Sequence, residues 1–171
     1  RMSGHRLRIG VTPDFPPIIF KQNKVITGVE ADLAMQMAFR LRMKPQWVEL
    51  EWEQLIPALL DGKIDVIMSG ITITPERKMR VAFSAPYLKV GQMALLRRKD
   101  AGRFSTLSEL LAFDGRVGYQ KGTTGDQFVQ QHFPKAAKVG YLSAGDAAVD
   151  LCRKRVDLVI QDAPQIRWLA S

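Results

Sequence analysis

Apolar and polar positions along the chain switch repeatedly between the alternation of a strand and the recurrence of a helix face. "LRIGVT" (7–12) reads as a first strand, stopped by Pro13, and "PDFPPIIF" (13–20) as a Pro-rich, aromatic loop leading to a short extended piece. "KQNKVITG" (21–28) has the look of a hairpin turn. From Val29 to Leu41 the apolar residues fall at 29, 33, 37 and 41, one face of a helix. "QWVEL" (46–50) alternates as a strand. "EQLIPALLDG" (53–62) sets Leu55, Ile56, Leu59 and Leu60 on one side of a helix, with Gly62 as its stop. Pro57 is costly deep inside a helix, so it belongs near the first turn. "KIDVIMSG" (63–70) predicts a buried strand, and Thr74, Pro75 and Glu76 predict the cap and first residues of a short helix.

The second half of "VAFSAPYLKVGQMALLRR" (81–98) is long and extended, suited to crossing from one lobe to another. After it come a helix over 105–113 capped by Ser105 or Thr106, a strand over 115–120, and a Gly-Thr turn opening a helix over 121–133. A strand (138–142), a helix (143–154), a strand (155–162) and the start of another helix complete the chain. "DGKIDVIMSG" (61–70) and "RKRVDLVIQD" (153–162) share a design: a helix end, a basic residue, then an apolar run interrupted by one aspartate. "LRIGVTPDF" and "GRVGYQKGTTG" also resemble each other. This echo predicts two α/β lobes built alike, each on a mainly parallel sheet. Ligands of such sheets bind beyond the carboxyl ends of the strands, here the loops after residues 11, 68, 119 and 160.

Composition adds mostly exclusions. The 171 residues suit one large domain or two small lobes, and 46% hydrophobic with 25% charged residues is an ordinary globular balance. There is no apolar run of about 18 residues that would predict a membrane span. "RMSGHRLRIGV" enters the first strand almost at once, so no signal peptide is visible and localisation is not legible directly. The one cysteine, Cys152, permits no intramolecular disulfide. His5 and His132 are isolated, no Cys/His cluster has metal-ligand spacing, and neither a metal nor a cofactor is expected. The net charge of +8 is spread over helix flanks and loops without a basic stripe interleaved with aromatics, so nucleic-acid binding is not expected.

Candidate chemistry sits in the four loops. Ser69, Gly70 and Thr72 offer hydroxyls and open backbone amides, and Arg77 offers a planar fork suited to a carboxylate. Arg77 falls in the first turn of its helix, where the dipole disfavours a cation unless an anion sits beside it. On the residues alone, a surface arginine paired with Glu76 or solvent remains the more ordinary reading. In "KGTTGD", Thr123 and Thr124 stand at a helix N-terminus, which is an anion site or simply a capped helix start. Asp162 either holds an ammonium or caps the next helix. Asp14, Phe15 and the two following prolines, with Trp52, form an apolar wall or pack in the core. The inventory suits a zwitterion with a variable side chain. No nucleophile is poised: neither a Ser-His-Asp set nor a Gly-x-Ser-x-Gly elbow is present, and no catalytic residue is named.

Five segments in order, "LRIGVTPDFPPIIF", "TGVEADLAMQMA", "WEQLIPALLDGKIDVIMSGITITPERKMRVAFSAPY", "GRVGYQKGTTGDQF" and "RVDLVIQDAP", make the chain resemble the polar amino-acid family of periplasmic solute-binding proteins. The resemblance implies an α/β fold of the bilobed periplasmic-binding-protein type II (Venus flytrap) class, with two parallel or mixed-sheet lobes. Lobe 1 would run over 1–90 and lobe 2 over 91–171, with the crossover at about 88–97. It implies that Arg77 clamps a ligand α-carboxylate with Ser69, Gly70, Thr72 and Thr124, and that Asp162 binds the α-ammonium. Phe15 and Trp52 match pocket aromatics. Glu30 stands where the family usually has Asp, and Val29 replaces an aromatic. The family's chain crosses back to finish its first lobe, so lobe 1 is expected to lack its C-terminal return, with an oligomer or a second segment completing it.

The function so implied is capture of a small amino acid between two lobes for a membrane ABC permease, in the periplasm or outside the cell, whether lipid-anchored or receptor-attached. One alternative is the extracytoplasmic sensor domain of a receptor, distinguished by what the full gene encodes on either side. The other is a cyclohexadienyl dehydratase-like enzyme, needing a general acid in the cleft; Glu30 and Asp14 are the candidates, and nothing in the sequence poises either. Thr12, Asp14, Glu30, Gln120 and Lys121 are expected to border the side-chain pocket, whose specificity is not legible.

Overall fold

A computed structural model describes residues 6–171, and His5 lies outside the described residues. The chain divides into two units, meeting in sequence at Lys89 and Val90.

The first unit is organised by β1 (Arg6–Val11), whose Leu7, Ile9 and Val11 are buried. It is the middle strand of a parallel sheet ordered β5-β1-β6, between β5 (Lys44–Glu49) and β6 (Val66–Ile67). An antiparallel ribbon, β2 (Asp14–Phe15), β3 (Ile19–Gln22) and β4 (Val25–Thr27), follows β1. Its tight turn has Asn23 and Lys24 at φ 50° and 66°, as the right-handed twist of a two-residue hairpin demands.

Helix α1 (Val29–Arg40) corrects the expectation from periodicity. Its buried residues are Glu30, Ala31, Ala34 and Ala38, whereas Val29, Leu33 and Leu41 are exposed and Met37 is half-buried. Three alanines let the helix backbone lie close on the sheet, and the larger apolar residues are displaced to its flanks. In α2 (Leu55–Leu60), which follows a 3-10 turn over Trp52–Gln54, Leu55 and Ala58 are buried and Leu60 is exposed, again a narrower face than expected. Pro57 is the third residue of α2, and Gly62 at φ 70° closes the helix with N–H bonds from Gly62 to Leu59 and from Lys63 to Ala58.

The buried strand expected over 63–70 shrinks to the two residues of β6, both half-buried. It is an edge strand among the described residues, and β1 is its sole partner. Beyond it the contact continues through Met68 N–H to the Gly10 carbonyl and through the Ser69 side chain. Helix α3 (Pro75–Lys78) is short, with the Thr74 hydroxyl accepting from the Arg77 N–H.

The second unit holds a mixed sheet ordered β7-β10-β8-β9: β7 (Gln92–Leu96), β8 (Arg116–Gln120), β9 (Ala137–Tyr141) and β10 (Leu158–Asp162). β10 is buried along its length, antiparallel to β7 and parallel to β8. Its alternation serves two cores. Leu158 and Ile160 join Val117, Val129 and Phe133, and Val159 joins Ala147, Leu151 and Val156. The first core is covered by α5 (Thr124–His132) and the second by α6 (Ala144–Cys152). Thr106, not Ser105, caps α4 (Leu107–Leu111), its hydroxyl accepting from the Glu109 N–H, while the Glu109 carboxylate accepts from the Ser105 N–H. Helix α7 (Ala163–Leu169) follows β10 directly.

The internal echo has a physical content. Asp65 accepts the Arg8 backbone N–H at 2.8 Å and binds its guanidinium, and Asp157 does the same for Arg116, with the N–H at 2.9 Å. Each aspartate locks the start of a parallel strand to its neighbour. No helix among the described residues is long and apolar enough to cross a membrane.

Candidate functional site

The carboxyl ends of β1 and β6 are laced together by side chains. The Thr12 N–H donates to Ser69 Oγ at 2.8 Å, Ser69 Oγ donates back to the Thr12 carbonyl at 3.3 Å, and Thr12 Oγ1 donates to the Leu50 carbonyl at 2.8 Å. Ser69 is 1% exposed, so its hydroxyl extends the sheet pairing past the last backbone rung. Gly70 follows at φ 63°, and a Cβ there would enter the Phe15 ring. Phe15 is itself buried in the core of the first unit, where it forms the floor under Gly70.

The Gly70 amide is not open, as the sequence had suggested. It donates to Glu30 Oε2 at 2.7 Å, and the other oxygen of that carboxylate accepts from the Tyr87 hydroxyl. Glu30 is 2% exposed, and burial raises its pKa while the bonds from Tyr87 and Gly70 pull it back. Glu30 is therefore a brace inside the first unit and not a pocket-bordering group.

Arg77 is half-buried; Nη1 donates to the Thr72 carbonyl at 2.8 Å and the guanidinium lies 5.6 Å from the centre of the Trp52 ring. Because α3 has four residues, its first turn is also its last, and its dipole does not single out Arg77 as misplaced. The carbonyl and the indole face supply the partial negative charge that holds the fork. Asp14 is exposed, yet desolvation pushes its carboxyl up to about 6 against the pull of a backbone hydrogen bond, and the Glu51 charge adds to the rise.

In the second unit the strand ends carry a buried polar layer. Thr123 caps α5: its hydroxyl accepts from the Asp126 N–H at 3.2 Å and donates to the Gln120 carbonyl at 2.7 Å. That hydroxyl is committed to local structure. Thr124 Oγ1 instead donates to Asp162 Oδ1 at 3.1 Å. Asp162 is 8% exposed and stands at the cap position of α7 without making a side-chain cap hydrogen bond. The same Oδ1 accepts from Gln92 Nε2 at 2.7 Å. Gln120, expected at the pocket border, is 5% exposed, accepts from Gln161 Nε2 at 2.8 Å and donates to the Leu142 carbonyl. Lys121 is exposed. Gln92 and Gln161 escaped the sequence reading because glutamine in a strand carries no motif; the signal for Gln92 appears only in its register opposite Asp162.

Residues 7–164 match the family model of the bacterial extracellular solute-binding proteins, family 3. The chain belongs to that family. Among curated family members, the ABC transporter arginine-binding protein 1 of Escherichia coli (strain K12) is 30% identical over 171 residues, covering 99% of this chain and 68% of its own length. The histidine-binding periplasmic protein of Salmonella typhimurium is 32% identical over 160 residues, covering 92% of this chain and 60% of its own. Several curated relatives are spanned over less than two thirds of their length, down to 55% for the octopine-binding periplasmic protein of Rhizobium meliloti. Among solved structures, an ancestral amino acid-binding protein described as a precursor of cyclohexadienyl dehydratase superposes with a TM-score of 0.93 at 36% identity, covering 99% of this chain and 76% of that one. Holo ArgBP from T. maritima superposes with a TM-score of 0.89 at 40% identity, covering 96% of this chain and 72% of that one. The fold is thus the α/β bilobed type II class of periplasmic binding proteins.

Proposed function

We propose that the protein binds an amino acid with a cationic side chain outside the cytoplasm and presents it to a membrane ABC permease. The observation that carries this reading is Asp162: a buried carboxylate at a strand's carboxyl end that makes no cap hydrogen bond and is held instead by Gln92 and Thr124. Such a group suits an α-ammonium. Arg77, oriented by the Thr72 carbonyl and Trp52, suits the α-carboxylate. Relatives named for arginine and histidine, and a Wolinella succinogenes structure complexed with lysine at 29% identity, support a cationic side chain.

Titration calorimetry with the twenty common amino acids tests the reading. Arginine, histidine or lysine is expected to bind, and Arg77→Ala to cost about 3–5 kcal/mol, more than a hundredfold in Kd, because the ligand carboxylate loses its charged partner. Unchanged affinity in that variant refutes the assignment. A dehydratase-like activity is the second reading, favoured by the 36% identity to an ancestral amino acid-binding protein described as a precursor of cyclohexadienyl dehydratase. Aromatic product from prephenate or arogenate would promote it.

A further inference from the structure

Gln92 opens β7 directly opposite Asp162, the last residue of β10, as an antiparallel pair. Opposed residues of such a pair project to the same face. Gln92 Nε2 donates to Asp162 Oδ1 at 2.7 Å and lies 3.2 Å from Thr124 Oγ1, which itself donates to Asp162 Oδ1 at 3.1 Å. Because an ionised carboxylate accepts only, the protons in this ring have one assignment: amide to hydroxyl and carboxylate, hydroxyl to carboxylate.

The other end of the same amide is left without a partner. Gln92 Oε1 is buried and makes no hydrogen bond. Turning the amide over would aim that oxygen at the Asp162 carboxylate, so the orphan is the consequence of serving Asp162. The helix beneath leaves room for it: a Cβ on Gly125 would come within 3.1 Å of Oε1. A buried carbonyl without a donor is unfavourable, and a methionine of similar length would fill the space without leaving one. Packing alone therefore does not account for glutamine here. The neighbouring layer fixes the backbone in turn, with the Asp162 N–H donating to Gln161 Oε1 at 3.2 Å.

We propose that Gln92 is a positioning residue of the ligand site, whose side-chain amide holds the Asp162 carboxylate and the Thr124 hydroxyl in the orientation that receives a ligand ammonium. This rests on the amino-acid-binding reading above. The test is calorimetry on wild type, Gln92→Met and Gln92→Ala with L-arginine, L-histidine and L-lysine, and with the des-amino analogue of each ligand that binds (guanidinovalerate, imidazolepropionate or aminohexanoate). Thermal melts of the ligand-free proteins accompany it. The expected result is a loss of roughly tenfold or more for the amino acid in a variant that still melts cooperatively, the size of a lost hydrogen bond to a charged group. For the des-amino analogue, which has no ammonium to place, the loss is expected to stay under about threefold. Equal losses for both ligands, affinity within about twofold of wild type, or failure of both variants to fold each overturn the proposal in favour of a merely structural role. Wild-type protein that binds none of the three amino acids overturns the binding reading itself, and the proposal with it.

Discussion

Replacing Glu30 by alanine removes the acceptor for two donors at once, the Gly70 N–H and the Tyr87 hydroxyl. Glu30 is 2% exposed, so water cannot replace it readily. A hydrogen bond to a charged group contributes about 1.5–3 kcal/mol, which puts Glu30→Ala at about 3–5 kcal/mol after partial relaxation. Glu30→Gln behaves differently. Its carbonyl can accept from Gly70 while its NH2 donates to the Tyr87 oxygen, so both contacts survive and the cost is about 1 kcal/mol or less at neutral pH. The pH dependence separates the two further. Burial raises the Glu30 pKa in the folded state, so the stability linked to its proton is full below the unfolded value near 4.5 and is lost as pH rises through the raised value. Wild type should gain on Glu30→Gln as pH falls and lose ground as it rises. Urea unfolding followed by tryptophan fluorescence, with Trp47 and Trp52 reporting the first unit, measures this at a series of pH values. A Glu30→Gln variant as unstable as Glu30→Ala at neutral pH, or a Glu30→Ala cost under about 1 kcal/mol, would show that Glu30 is not a brace for Gly70 and Tyr87.

Two further outcomes concern stability away from the site. Arg42 and Lys154 hold φ of 55° and 62° at the ends of α1 and α6, where left-handed backbone costs a side-chain-bearing residue about 1–2 kcal/mol and glycine recovers part of it. Arg42→Gly and Lys154→Gly should each raise the urea midpoint by the equivalent of about 0.5–1 kcal/mol, and add when combined because they lie in different units; unchanged or lowered midpoints would contradict this. Asp157 is desolvated, but hydrogen bonds and charge from Arg116 and Arg97 outweigh this and lower its pKa, so its stabilisation is full above the unfolded value near 3.8 and fades as pH falls through the lowered one. Asp157→Asn should cost about 1.5–3 kcal/mol at neutral pH and flatten the acid side of the stability profile, and an unaltered acid limb would count against it.

Most of the elements were legible because turn chemistry and periodicity act locally. Thr74-Pro75, Thr123 and Gly62 each hold the position their backbone chemistry predicts. The echo between Lys63–Met68 and Arg155–Ile160 was legible as a pattern, and the folded chain shows what it encodes: an aspartate that grips the arginine at the start of the neighbouring strand. Burial was less legible. Periodicity at 29, 33, 37 and 41 marked a helix but not its inward face, because close packing on a sheet selects the alanines at 31, 34 and 38 over larger neighbours.

Local pattern and turn chemistry were enough to read the order of most strands and helices and the positions of their caps. Those follow from interactions among residues near each other in the chain. Tertiary structure alone decided what each polar group is committed to. Ser69, Gln120 and Glu30 look alike as available donors or acceptors in the sequence, but partners as far as 57 residues away along the chain commit them to structure. Gln92 carried no signal until β7 paired with β10 and set it against Asp162. Hydrogen bonds between distant residues depend on register and burial, and neither is written in the local pattern that makes a strand or a helix.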